Sequence, residues 1–111
     1  MSEPTIDLST FADLQAAAGA GFVTELVGTF LEEAPSMLAE LRGAQAAGAA
    51  DVFRRAAHSL KSNSNTFGAT RLGALARDLE LGGLIADTAP LDALEAEYRL
   101  VAAALKELCR G

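Results

Sequence analysis

The chain has one cysteine, one histidine and few aromatic residues, and each scarcity removes a class of protein. Cys109 has no second thiol to pair with, so no intrachain disulfide forms and no thiolate cluster is available for zinc or an iron–sulfur centre. That usage fits a reducing compartment. A single histidine without an HExxH pattern gives no metal site, and no metal or other cofactor is expected on the chain itself. No GxxxxGK[ST] loop is present and Gly82-Gly83 opens no phosphate cradle, so the chain is expected neither to bind ATP nor to phosphorylate itself. A hydrolytic triad is also disfavoured, because there is no nucleophile elbow and Asp51 is badly placed on a helix to orient His58. No uncharged stretch approaches the roughly 20 residues that span a bilayer. Met1-Ser2-Glu3-Pro4 has neither the basic start nor the apolar run of a signal peptide, so a soluble, cytoplasmic protein without a membrane partner is expected. Positive charge is scarce too. Nine Lys and Arg against fifteen Asp and Glu leave a formal charge of −6, which repels nucleic acid.

What the sequence does have is alanine and leucine. Half of the 111 residues are apolar and only 5% aromatic, a composition that leans all-α because these aliphatic side chains lose little on entering a helix. A short first helix is expected from about Ser9, as cap, to Ala18, with Phe11, Leu14 and Ala18 on one face and Gly19 and Gly21 as stops. From Phe22 to about Ala47, Phe22, Leu26, Phe30, Met37, Leu38 and Leu41 recur at helical spacing. Pro35 interrupts that run. It removes the amide that would bond to Leu31, so either a kinked long helix or two abutting ones is expected. A third helix should run from Ala50 to Phe67, closed by Gly68. A fourth runs from Thr70 to Leu81, with Leu72, Leu75, Ala76 and Leu79 inward and Gly82-Gly83 as its stop. Pro90 suits the first turn of a last helix carrying Leu91, Leu94, Tyr98, Val101 and Leu105. No segment alternates with period two, so no strand is expected. Helices two to five, joined by short connections, fit an antiparallel up-down four-helix bundle with the first helix at one end, forming a single domain over residues 1–111.

The third helix carries the chemistry. At about 100° per residue, Phe53, Ala56, Leu60 and Phe67 cluster in one direction, and His58 points nearly opposite. Arg54 and Arg55 lie one turn before it, Lys61 and Ser62 one turn after. From Arg42 to Arg77 there are six basic residues (Arg42, Arg54, Arg55, Lys61, Arg71, Arg77) and one acid, Asp51, while the other fourteen acids lie elsewhere. A basic face on an acidic protein suits an anion or an acidic pocket on a partner.

The stretch Ala57-His58-Ser59-Leu60-Lys61-Ser62-Asn63-Ser64-Asn65-Thr66-Phe67-Gly68-Ala69 resembles the signature of the histidine-containing phosphotransfer (HPt) domain family. Phe30-Leu31-Glu32-Glu33-Ala34-Pro35 and Leu38-Ala39-Glu40-Leu41 are similar to the family's second helix, and Leu79-Glu80 to its fourth. The resemblance runs from about Phe22 to Ala103; it departs at Ser62, where the family more often has glycine.

This resemblance implies a phosphocarrier of a two-component phosphorelay rather than an enzyme. His58 would accept a phosphoryl group from a receiver-domain aspartate, through Nε2, and pass it to another receiver. Exposed imidazole keeps a neutral nitrogen available for attack near neutrality. Lys61 would offset phosphoryl charge, since such transfer needs positioning and charge neutralisation above all. Arg54, Arg55, Ser62 and Asn65 would help docking. Ser64, at the edge of the core face, would fix the helix by hydrogen bonding, and Gly68 would stop it and allow close packing. Response-regulator receiver domains and a hybrid histidine kinase are the implied partners, with Mg²⁺ on the receiver and the chain itself a monomer. The alternative is a non-catalytic helical module that docks receivers or other helices without phosphotransfer.

Overall fold

The computed structural model describes residues 5–110. Those residues form five α-helices and no strand: α1 (Leu8–Ala18), α2 (Ala20–Ala47), α3 (Ala50–Thr66), α4 (Thr70–Gly82) and α5 (Ala89–Leu108). No single helix among them is long and apolar enough to cross a membrane. Met1 to Pro4, on which the expectation of no signal peptide rests, lie outside the described residues.

Two local expectations need correction. The cap of α1 is Asp7 and not Ser9: the Asp7 carboxylate accepts the Ser9 and Thr10 amides at 3.0 and 3.3 Å, a charged acceptor at the positive end of the helix. Phe22, placed on the apolar stripe of α2, is 52% exposed; it stands in the first turn of that helix, just after the chain has turned by 118° out of α1. Ala18, placed on the inner face of α1, is exposed as well, since that helix ends there.

Pro35 leaves α2 unbroken, one helix of 28 residues. The Leu31 carbonyl that proline cannot serve is met instead by the Tyr98 hydroxyl of α5, at 3.4 Å. The cost of an interior proline is thereby reduced, because a freed backbone acceptor finds a donor.

Burial follows the helical periodicity. Val23, Val27, Phe30, Ala34, Leu38 and Leu41 of α2 meet Phe53 and Leu60 of α3, Leu72, Ala76 and Leu79 of α4, and Leu91, Leu94, Val101 and Leu105 of α5 in one core. Each fully buried leucine or phenylalanine contributes on the order of 2 kcal/mol. Phe30 adds aromatic contacts to Phe67 and Tyr98, at ring separations of 5.4 and 6.1 Å.

α2 packs on α3 and α5, and α4 also packs on both α3 and α5, with the α3–α4 contact the most extensive. Moving back along α3 from Asn65 to His58, contacts advance along α4 from Gly73 to Glu80, so these two helices run in opposite directions. The same holds for α2 and α5, where Arg42 meets Asp92 and Glu95 while Leu31 meets Tyr98. α1 lies against α2 and α3.

Candidate functional site

α3 is the helix that positions the site. Phe53, Ala56, Ala57, Leu60 and Ser64 are buried along one side, which fixes its rotation. Ser64, fully buried, donates its hydroxyl to the Leu60 carbonyl at 2.6 Å, which lets a polar side chain sit inside the core. With that side held, the opposite side must face solvent. The His58 side chain is 57% exposed there.

Gly68, which ends α3, has φ +82°, a conformation costly for any residue with a Cβ. Its carbonyl accepts the Asp7 amide at 2.7 Å, and a Cβ on Gly68 would lie 2.7 Å from the Asp7 carbonyl oxygen. Both helix termination and close packing therefore require this glycine.

His58 is not alone on its face. Its Nδ1 is 2.7 Å from Oε2 of Glu80 on α4, and Lys61 Nζ is 2.8 Å from Oε1 of the same carboxylate. Glu80 thus spans both residues singled out on α3, with its side chain only 17% exposed. The bond to Lys61, then the bond to His58, holds its carboxyl below the usual range. An ionised carboxylate can only accept, so the hydrogen in the short contact belongs to Nδ1. In the neutral ring this leaves the lone pair on Nε2.

Glu80 was not among the candidate residues read from the sequence, although Leu79-Glu80 was part of the resemblance. Its partner lies 22 residues away on another helix, and only the register between α3 and α4 brings them together. Along the same seam Gly73 of α4 is buried beneath the Asn65 side chain, whose Oδ1 would lie 2.2 Å from an added Cβ and would have to swing aside.

The other candidates fall in different places. Arg54 pairs with Asp51 at 3.0 Å, and Arg55 Nε reaches the Asp51 carbonyl at 3.4 Å; both guanidinium groups remain at the surface. Ser62 is exposed one turn beyond His58. Asn65, read as a docking residue, lays its side chain on Gly73 and so contributes to the α3–α4 contact. A groove of about 330 Å³ opens between α2 and α3 one turn from His58, lined by Met37, Glu40, Val52, Arg55, Ala56 and Ser59.

A helix buried along one side that displays one imidazole, with an ammonium one turn further on, is what the sequence resemblance implied for His58 and Lys61. The Hpt domain family model matches residues 25–109, and the chain belongs to that family. It is a histidine phosphotransfer protein of the phosphorelay type. Among solved structures it is similar to histidine-containing phosphotransfer protein B (HptB) from Pseudomonas aeruginosa PAO1, with 26% identity, a TM-score of 0.84, and coverage of 98% of this chain and 97% of that one. No curated protein matches the sequence.

Proposed function

We propose that His58 is the phosphoaccepting residue, and that it takes the phosphoryl group on Nε2 from a receiver-domain aspartyl phosphate and hands it to a second receiver. The observation that carries this reading is the division of the ring: Nδ1 is engaged by Glu80 at 2.7 Å, which leaves Nε2 uncommitted among the described residues on a side chain that is 57% exposed. A nucleophile needs one nitrogen with a free lone pair, and a hydrogen bond on the other selects the tautomer that supplies it.

Lys61 is the cation within one turn that offsets charge on the moving phosphoryl group. Its side chain is 25% exposed, so it is braced by Glu80 yet open on one side. Arg54, Arg55 and Ser62 flank the histidine on the surface a receiver would cover, together with the α2–α3 groove. Ser64 and Gly68 hold the helix that carries them. On this reading Mg²⁺ and the acidic pocket are the receiver's, a hybrid histidine kinase stands upstream, and the chain itself neither binds ATP nor requires a cofactor. We further read α2 to α5 as an antiparallel up-down bundle within a single domain, working as a monomer in the cytoplasm. The opposed directions of α3 against α4 and of α2 against α5 support that architecture.

Incubation with a phosphorylated receiver tests the assignment. Label should move into an acid-labile, alkali-stable phosphohistidine, and His58→Gln should abolish it. Transfer that persists in His58→Gln would falsify the site.

A further inference from the structure

Each oxygen of the Glu80 carboxylate is committed to one partner, Oε2 to the His58 ring and Oε1 to Lys61. Oε1 is shut off from solvent and accepts no well-aligned hydrogen bond, so the charge of the Lys61 ammonium at 2.8 Å is what compensates it. Lys61 therefore keeps the carboxylate ionised and close to α3, and the carboxylate fixes the proton on Nδ1. A glutamine could not do both, since it has one acceptor oxygen and an NH₂ that would face another donor.

We propose that Glu80 is a positioning residue that keeps the proton on His58 Nδ1 after Nε2 has been phosphorylated, and so keeps the phosphohistidine ready to give its phosphoryl group away. This rests on His58 being the phosphoacceptor.

The electron count shows why the proton matters. In the incoming step the Nε2 lone pair forms the N–P bond, the bond between phosphorus and the receiver's aspartyl oxygen breaks, and its electron pair leaves with that carboxylate. The ring now carries a positive charge with the proton still on Nδ1, facing the negative charge of Glu80. In the outgoing step a second aspartate carboxylate attacks phosphorus, the P–N bond breaks, and its pair returns to Nε2. The ring leaves as neutral imidazole, and no proton has moved in either direction. Had Nδ1 lost its proton in between, the leaving group would be an imidazolate anion, which departs far less readily. A carboxylate beside Nδ1 opposes that loss because it stabilises the charged ring more than the neutral one.

The test uses phosphoramidate as a small phosphodonor on the full chain, so no receiver is needed for loading. In wild-type protein, nitrogen-15 correlation spectra of the phosphorylated ring at neutral pH should show a protonated Nδ1. Glu80→Gln should show it deprotonated, with phosphohistidine lifetime and onward transfer to an added receiver both slowed on the order of tenfold, the scale of one charge-assisted bond replaced by a neutral one. Glu80→Asp keeps a carboxylate and should recover part of the lability. A wild-type phosphohistidine without the Nδ1 proton, a Glu80→Gln protein as labile as wild type, or a Glu80→Asp protein as long-lived as Glu80→Gln each overturns the inference. If phosphoramidate labels no histidine in wild-type protein, the phosphocarrier reading falls with it, a result distinct from label that forms and decays alike in both.

Discussion

Tyr98 on α5 donates its hydroxyl across the core to Leu31 on α2, at 3.4 Å, and the acceptor is the one carbonyl in that turn that Pro35 cannot serve. The tyrosine is half-buried, which also pushes its phenol up from the ordinary value by desolvation. A proline that opens a backbone bond and a hydroxyl that closes it should be energetically coupled. Tyr98→Phe should therefore cost about 0.5–1 kcal/mol, the scale of a long neutral hydrogen bond. In a Pro35→Ala background, where the residue 35 amide can serve Leu31, the same change should cost less. Urea denaturation of the two single variants and the double variant reads the difference directly, and equal costs in both backgrounds would show that the hydroxyl does not compensate the proline.

Gly68 sets the junction where α3 ends, α4 begins and the segment before α1 docks. With φ +82° and the Asp7 carbonyl 2.7 Å from any added Cβ, alanine meets both backbone strain and a clash with another main-chain atom. Neither can be relieved by a side-chain rotation. Gly68→Ala should lose roughly 1–3 kcal/mol, and amides around Asp7 should lose hydrogen-exchange protection first because their bond to Gly68 is the one displaced. Unchanged stability and protection would mean the junction relaxes freely.

The helices were legible because their evidence is local. The apolar spacing through Phe53, Ala56 and Leu60 and the stops at Gly68 and Gly83 lie within a few residues of what they determine. The same spacing placed His58 on the outer side of α3, where it is found. Phe22 misled because periodicity says which side of a helix is apolar but not where along its length a neighbour ends. Ser9 misled because the helix starts earlier, at Asp7, whose carboxylate accepts the amides of Ser9 itself and of Thr10. Glu80 could not be weighted from sequence, since its role arises from the α3–α4 register, which brings it to a residue 22 positions away and has no local signal.

Two carboxylates link folding to pH. Glu95 is held below its ordinary range chiefly by the Arg42 guanidinium, which contacts its two oxygens at 2.9 and 2.7 Å, and Glu80 chiefly by Lys61 and then His58. A carboxyl depressed in the folded state adds stability that is fully present above its unfolded value, near pH 4.3, and is lost as pH falls through the folded value. Thermal midpoints should therefore be steady from neutrality to about pH 5 and decline below it. Glu95→Gln should lower the neutral plateau and flatten the acid decline, as the residue that releases stability on protonation is gone. A decline equally steep in that variant would assign the acid sensitivity elsewhere.

Lys61 separates chemistry from architecture. The lysine side chain lies at the edge of the α3–α4 contact and is 25% exposed, so its removal opens a path for water to the Glu80 oxygen it leaves and takes little packing from the core. The same charge placed against a phosphoryl group during transfer acts where negative charge is concentrated and water is displaced by the docked receiver, so its effect there is larger. Lys61→Ala should accordingly keep the helical circular dichroism signal and shift the thermal midpoint by only a few degrees, while slowing phosphoryl transfer from a receiver on the order of tenfold or more. The loss should appear in the rate at saturating receiver rather than in the receiver concentration needed, because the lysine meets the group in flight and not the docking surface. A variant that binds the receiver weakly but transfers at the full rate once bound would make Lys61 a docking residue, and one that loses its helical signal would make it structural.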